Sequence, residues 1–228
     1  MSELRESILI VAAHPDDEAL GCGGTIAKLS RMHPVHVKFM GRGVGARNLP
    51  LAEHRMAVKK LAQATRASAE VLAITTVFPG QFDDNAFDSG PLLELVREVE
   101  QCIAQYRPTT IYTHHAGDLN IDHRLTFQAG LTACRPMVTC SVRNIYSFEV
   151  PSATDWAFQQ FQSWNPTRFV DITETLIQKM DALEFYKDEL RPFPHPRSLE
   201  AIHARATWWG GIVGTSAAEA FMVIRELA

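Results

Sequence analysis

Long apolar runs, an excess of one charge and closely paired cysteines are all missing from this 228-residue sequence. A membrane-spanning helix needs about 18 or more consecutive apolar residues, and no window approaches that length, so we predict no membrane span. The 22 Lys and Arg and 26 Asp and Glu give a formal net charge of −4. This mild acidity argues against a basic nucleic-acid-binding surface.

The four cysteines are scattered and form no C-x-x-C pair, so we expect neither a disulfide framework nor a cysteine zinc site. The first residues are charged, and the apolar run at 8–13 is too short for a secretory signal. We therefore predict free thiols and a cytoplasmic location. The sequence leaves the oligomeric state open, a homo-oligomer included.

What is present is an ordinary globular composition, with 46% apolar and 21% charged residues. No internal repeat or low-complexity tract divides the chain. A length of 228 residues is routine for one α/β domain, so we predict a single domain over 1–228.

Short β-branched runs alternate with helical patterns along the first two-thirds of the chain. Strands are predicted at 7–13, 35–40, 70–75, 109–113 and 143–148, and helices at 19–32, 51–65, 92–106 and 122–134. Such alternation predicts an α/β, Rossmann-like fold, with a mostly parallel sheet and helices on both faces.

The last third is less regular. We predict a short strand at 165–170 and helices at 173–190, 198–209 and 216–227. The segment 191–197 contains three prolines and is predicted to be a rigid structural loop, although it could also line a pocket.

The strongest local pattern is A-H-P-D-D-E at 13–18, between the first predicted strand and the first predicted helix. Ligands of open α/β sheets gather at the carboxyl ends of strands. His14 and Asp17 lie three residues apart across this turn, and an imidazole with a carboxylate suits zinc. Asp16 lies between them and is free to contact a metal-bound water. The simpler alternative is that Asp16 or Asp17 only caps the helix.

A second polar segment, at 113–124, follows the fourth predicted strand and contains Asn120, Asp122 and His123. A catalytic zinc typically takes three protein ligands and keeps one position open. His123 is the candidate third ligand, and Asp122 beside it is a candidate for orienting a polar neighbour. The alternative is that Asp122 caps the next helix and His123 lies on its exposed face.

Together the two segments resemble the LmbE-like (PIG-L) family of zinc-dependent N-acetylglucosaminyl deacetylases. That family carries an A-H-P-D-D-E motif after the first strand and a downstream H-x-D-H motif. The first motif is intact here, and the glycine-rich stretch at 21–24 and the A-E-x-F segment at 218–221 are similar to the family as well.

The resemblance implies that Zn²⁺ is held by His14, Asp17 and His123. It implies that Asp16 is the base that accepts a proton from metal-activated water as this water attacks an acetamide carbonyl. Asp122 matches the acid of the second motif. The substrate implied is a small N-acetylated amino sugar or its conjugate.

One position departs from the family, because Asn120 stands where the second motif begins with histidine. An asparagine amide can donate a hydrogen bond to an oxyanion, but it cannot supply a titrating proton. The departure therefore puts acid catalysis from this position in doubt and leaves oxyanion stabilisation open.

Weaker candidates lie in other loops at the ligand-facing edge of the sheet. His115 could approach the metal or the oxyanion. Arg47, Asp84 and Asn85 follow the second and third predicted strands and could hydrogen-bond sugar hydroxyls.

Three alternatives remain open. The protein could be a zinc hydrolase of another small amide, because the ligands do not choose the acyl partner. It could be a catalytically inactive metal-binding relative, for which Asn120 is the hint. A Rossmann nucleotide-binding module is the third, but the glycines at 21–24 lack the G-x-G-x-x-G spacing. The mixed N/O ligand set would also accept iron(II), cobalt or nickel.

Overall fold

A computed structural model describes residues 6–44, 50–158 and 160–227. The strands are β1 (Ile8–Ala12), β2 (Val35–Phe39), β3 (Thr76–Phe78), β4 (Thr110–His114), β5 (Asn144–Phe148), β6 (Arg168–Asp171) and β7 (Ala218–Arg225). The α-helices are α1 (Asp17–Leu29), α2 (Leu51–Val71), α3 (Leu92–Tyr106), α4 (Ile121–Ala133), α5 (Leu176–Phe185) and α6 (Leu199–Val213).

The seven strands form one sheet in the order β3-β2-β1-β4-β5-β7-β6. Strands β1 to β5 pair in parallel, whereas β7 runs antiparallel to both β5 and β6. This arrangement confirms the predicted α/β, mostly parallel, Rossmann-like fold. The chain order reverses between β1 and β4, and the crevice outside the carboxyl ends of those two strands is where such sheets bind ligands.

Both faces of the sheet are covered by helices, as the apolar composition of β1 predicts. Ile8, Ile10 and Ala12 pack into a core with α1, α2 and α5. Alternate residues of the same strand, Leu9 and Val11, pack on the other face against α3 and α4. Because successive side chains of a strand point to opposite faces, a strand with two buried faces is apolar throughout.

Two predicted elements are wrong. The strand expected at 70–75 is instead the end of α2 and a turn, and the strand follows later, at β3. Leu61, Thr65, Ser68 and Ala69 are buried at helical spacing, so packing carries α2 six residues past its predicted end.

The helix expected at 216–227 is the strand β7. Its first residues are rich in alanine, which favours helix. Hydrogen-bonded pairing with a strand on each side overrides that local preference. The helix predicted at 173–190 is shorter in the structure, where α5 covers only Leu176–Phe185. The helix predicted to end at 209 continues as α6 to Val213.

Helix α1 is broken at Cys22, whose φ of −147° is not helical. The second half of the helix therefore exposes new backbone N–H groups, and the buried Glu219 of β7 accepts hydrogen bonds from those of Gly24 (3.0 Å) and Thr25 (2.7 Å). Lys179 of α5 donates to Glu219 (2.6 Å) and to the carbonyl of Leu20 (2.8 Å). The carboxylate thus acts as an internal helix cap with its own counter-charge.

The glycines of α1 serve close packing. A Cβ on Gly21 would lie 2.3 Å from the Phe148 ring, and one on Gly24 would lie 2.7 Å from Ile172. Gly21 lies past the first turn of α1, and the N–H of Gly24 already donates to Glu219, so these glycines do not form the phosphate-binding turn of a nucleotide module.

Candidate active site

The turn between β1 and α1 sets the first part of the site. The backbone N–H of His14 donates to Asp17 Oδ2 (2.9 Å), which closes the turn. Asp16 has a φ of 124°, a conformation that is unfavourable for a residue with a side chain. Its backbone N–H donates to Glu18 Oε2 (3.0 Å), and Glu18 Oε1 in turn accepts from the Tyr186 hydroxyl (2.8 Å).

His14, Asp17 and His123 come together at the crevice between β1 and β4. One ligand atom from each lies within 4.8 Å of the others. Asp17 Oδ2 is 3.5 Å from His14 Nδ1 and 3.4 Å from His123 Nε2. Ligand atoms around a tetrahedral zinc at about 2.1 Å stand about 3.4 Å apart. The two distances from Asp17 match this spacing, and the atoms of His14 and His123 lie within 4.8 Å of each other.

The donor atoms themselves fit a cation. Asp17 Oδ1 and His123 Nε2 are buried and have no hydrogen-bond partner in the described part of the chain. Buried polar atoms left in this way cost free energy unless an ion or a water binds them. Asp17 and His123 are fully buried, whereas His14 is partly exposed, so the site is reached from the His14 side.

His114 lies beside the cluster, but its ring nitrogen nearest Asp17 is already occupied. Its Nε2 is 3.5 Å from Asp17 Oδ2, and its ring stacks on that of His123 at 4.0 Å. That same Nε2 accepts a hydrogen bond from the backbone N–H of Ala13 (2.7 Å). A ring nitrogen that accepts a hydrogen bond has no lone pair left for a metal. His114 therefore packs against the site and supports it.

Two carboxylates contact the ring nitrogens of His14 and His123 that do not face the cluster. Asp122 Oδ2 is 2.9 Å from His14 Nε2, which leaves Nδ1 to face the cluster. Asp118 Oδ1 is 3.2 Å from His123 Nδ1, a charge contact that lacks hydrogen-bond geometry, and it lies on the side of the ring opposite Nε2. Such carboxylate–histidine pairs fix the tautomer and the orientation of metal-binding rings. The predicted orienting role of Asp122 agrees with this contact, whereas Asp118 was not singled out by the sequence.

Asp122 also ties a neighbouring loop to the site. The backbone N–H groups of Asn85 (2.5 Å) and Phe87 (3.2 Å) donate to its carboxylate. Asn120 caps α4, because its side-chain oxygen accepts from the backbone N–H of Asp122 (2.9 Å). The cap that the sequence offered as an alternative for Asp122 is therefore made by Asn120.

The charges of the cluster act on one another strongly. Burial alone would raise the pKa of Asp17, but the rings of His123 and His114 hold it well below its usual range. Burial opposes a charge on His14 and His123, yet their carboxylate neighbours raise the pKa of His14 to about 10 and that of His123 to about 9. Burial lowers the pKa of His114. The buried carboxylates therefore favour positive charge at the rings of His14 and His123, either as ring protons or as a cation bound in their place.

Asp16 is not one of the three candidate ligands, and together with His14 it lines an open cleft of about 160 Å³. Burial raises the pKa of its carboxyl well above the usual value, although Arg197 opposes this shift. Arg197 Nη1 lies 3.1 Å from Asp16 Oδ2. The segment 191–197 was predicted to be a structural loop that could also line a pocket, and it lines the cleft through Arg197.

The remaining candidates divide into two groups. Asp84, Asn85 and Asn120 line the same cleft as His14 and Asp16. His115 does not join them, because its Nε2 contacts the carbonyl of Gln162 (2.7 Å) and its ring meets that of Trp164. Arg47 lies outside the described residues.

The chain is similar in sequence to a described family and to individual known proteins. The family model described as PIG-L, GlcNAc-PI de-N-acetylase, matches residues 9–134, more than half of the chain. The uncharacterized deacetylase YaiS of Escherichia coli K12 is 26% identical over 190 residues, which cover 80% of this chain and 91% of that protein. The diacetylchitobiose deacetylase of Thermococcus kodakarensis is 24% identical over 198 residues, covering 81% of this chain and 70% of that protein.

Solved structures show the same architecture. The N,N'-diacetylchitobiose deacetylase from Pyrococcus horikoshii matches with a TM-score of 0.77 at 18% identity, covering 96% of this chain and 84% of that one. At this level of identity the likeness establishes the fold alone.

Proposed function

The chain belongs to the PIG-L family of de-N-acetylases, and from that membership we propose that it is a zinc-dependent hydrolase that removes the N-acetyl group from an N-acetylglucosamine-type sugar or its conjugate. The observation that carries the proposal is the convergence of His14, Asp17 and His123 beside a cleft that Asp16 lines. The family name and the diacetylchitobiose deacetylase relative support the amino-sugar substrate.

Zinc would be held by His14 Nδ1, one Asp17 oxygen and His123 Nε2, with His14 and His123 oriented by Asp122 and Asp118. A divalent cation in this position makes a coordinated water more acidic and polarises an acyl carbonyl. The chain's nitrogen and oxygen donors suit zinc, and they would accept iron(II) or cobalt as well. Zinc is therefore the part of the proposal that metal analysis must decide.

Asp16 is the group that moves the proton. Its carboxylate lines the cleft without belonging to the ligand cluster, so it can accept a proton from the attacking water. The water oxygen bonds to the acetamide carbon, the C–N bond breaks, and Asp16 returns the proton to the leaving nitrogen. The products are acetate and the free amine. Because Asn120 cannot supply a titrating proton, one carboxylate serves as base and then as acid.

Asn120 and the polar rim position the substrate. The Asn120 amide nitrogen is 3.4 Å from Asn85 Oδ1, at the edge of the cleft, where it can donate to the developing oxyanion. Asp84 and Asn85 supply acceptors for sugar hydroxyls. Arg47 stays a proposed substrate contact on the strength of its place in the loop after β2. His115 stays a prediction as a catalytic group, without support from its contacts.

Two broader predictions also stand as proposals. The deacetylase domain extends over 1–228, since β5 to β7 complete the sheet that the family-matched part begins. The cytoplasmic location rests on the cysteine pattern; Cys22, Cys102, Cys134 and Cys140 are free thiols. Separately, none of the described helices combines the length and apolar character that crossing a membrane requires.

The test is amine release from N-acetylglucosamine and from N,N'-diacetylchitobiose. We expect release to stop when a chelator removes the metal and to return with Zn²⁺, and we expect metal analysis to give one zinc per chain. Release that ignores the chelator would contradict the metal mechanism. A zinc-loaded protein that releases amine from neither sugar, but does so from another acetamide, would contradict the substrate class.

A further inference from the structure

Arg197 connects three distant parts of the chain at the candidate site. It lies in the loop between α5 and α6, just before the Ser198 cap of α6. Its Nη1 contacts Asp16 Oδ2 (3.1 Å), and its Nε donates to the carbonyl of Pro151 after β5 (3.3 Å). Its backbone N–H donates to His195 Nδ1 (3.0 Å). The guanidinium is therefore anchored on one side while it meets the carboxylate on the other.

The Asp16 side chain needs such a partner. The backbone of Asp16 is held by Glu18, but this contact does not orient the carboxylate. Asp17, Glu18 and Glu189 all place negative charge near it and repel it. Arg197 is the only lysine or arginine among the described residues that line the cleft. Its side chain is 20% exposed, so water screens the attraction only in part.

We propose that Arg197 is a positioning residue that holds the carboxylate of Asp16 in its proton-accepting orientation beside the ligand cluster. The inference rests on the proposed function in assigning Asp16 as the base. It also extends the active site to a residue beyond the family-matched segment 9–134. A guanidinium makes directed, planar hydrogen bonds to a carboxylate, and lysine supplies the charge without that geometry.

The decisive comparison is between Arg197→Gln, Arg197→Lys and Arg197→Ala, assayed for amine release as purified zinc-loaded proteins. A misplaced base lowers the chemical rate, so we expect kcat to fall about 100-fold in Arg197→Gln. KM should stay within about twofold, because the contact acts through Asp16 and not on the substrate. Arg197→Lys should recover part of the loss, and added guanidinium should raise kcat of Arg197→Ala.

Arg191→Gln is the matched control. Arg191 begins the same loop, but its side chain contacts the backbone carbonyls of Asp188 and Leu190. It should keep wild-type kcat. All variants should bind one Zn²⁺ when the metal-free proteins are titrated, because Arg197 does not contact the three ligands. A higher KM at unchanged kcat would show a substrate contact and overturn the positioning role, as would an unchanged kcat in Arg197→Gln.

A second measurement is independent of activity. Crystal structures of the wild type and Arg197→Gln should show the Asp16 carboxylate turned away from its wild-type position in the variant. A carboxylate that keeps its place without the guanidinium would overturn the inference. If the wild type releases no amine from any acetamide tested, the proposed function fails, and these structures still decide whether Arg197 positions Asp16.

Discussion

The part of the chain that the family model matches, 9–134, and the part that follows it contribute differently to the site. The first part holds all three candidate metal ligands, the candidate base and both orienting carboxylates. The second part holds none of the ligands. Its side chains instead reach back to the first part, with Arg197 on Asp16, Tyr186 on Glu18 and Glu219 on the break in α1.

The two parts therefore differ in role: the first holds the reacting groups, and the second holds residues that keep them in place. Reacting groups lie in the segments that follow β1 and β4 and in the first turns of α1 and α4, at the edge where a parallel sheet gathers them. Their supporting contacts come from β7, from Tyr186 directly after α5 and from the loop before α6. Because each supporting residue is more than 160 positions from its partner in sequence, the two parts must fold onto one another before the site has its final geometry. Removing a reacting group should therefore lower kcat, whereas removing the Glu219 cap should lower the free energy of unfolding.

The largest effect is expected from removing the base in the first part. Asp16→Ala should lower kcat by about 10²- to 10⁴-fold, the usual contribution of a general base. Zinc should remain at one per chain, because Asp16 lies outside the ligand cluster. Amine-release rates and metal analysis after dialysis measure both. Wild-type turnover in this variant would exclude Asp16 as the base, and loss of zinc would make it a ligand.

Changing Glu219 in the second part should instead affect folding. Glu219→Gln leaves the buried Lys179 without its counter-charge, so we expect the free energy of unfolding to fall by about 3 kcal/mol or more. Urea denaturation of the purified protein measures this. The control is Glu226→Gln near the end of the same strand, where the ion pair with Arg168 is exposed and its loss should cost less than about 1 kcal/mol. An equal loss of unfolding free energy in both variants would contradict the structural role of the buried Glu219.

A smaller effect is expected for the carboxylate behind His123. Asp118→Asn should weaken zinc affinity by about 10- to 100-fold, because His123 loses the negative charge beside its Nδ1. Competition with a chelating dye measures the affinity. Asp83→Asn changes an exposed carboxylate that pairs with Arg42, and it should leave the affinity unchanged. If Asp118→Asn binds zinc as the wild type does, the carboxylate has no part in holding His123.

The smallest effect is expected at Asn120, which caps α4 and is also the proposed oxyanion donor. Asn120→Ala removes the cap of α4 and should lower the free energy of unfolding by about 1 kcal/mol. Asn120→Ser keeps a capping oxygen, so its stability should stay near that of the wild type, but it lacks the amide nitrogen. A matching drop of kcat in both variants would identify the amide as an oxyanion donor. A wild-type kcat in Asn120→Ser would leave Asn120 a cap alone.

The success of sequence-based prediction also differs between the two parts. In the first, the two motif segments were placed correctly at strand ends, and the fold class followed from β-α alternation. The strand predicted at 70–75 was wrong, because helix and strand cannot be told apart in so short an apolar run. In the second part, the alanine-rich start of β7 indicated helix, and only its pairing with β5 and β6 made it a strand.

The sequence alone determined the order of strands and helices in the first part, the two motif turns and the candidate ligands His14, Asp17 and His123. These features are local, since a turn of a few residues at a strand end fixes which side chains project from it. Tertiary structure decided that His114 is occupied by a backbone N–H, that His115 faces away, and that Arg197 meets Asp16. Those outcomes depend on contacts between strands and loops that are distant in sequence, and hydrophobic periodicity carries no information about which distant residues meet.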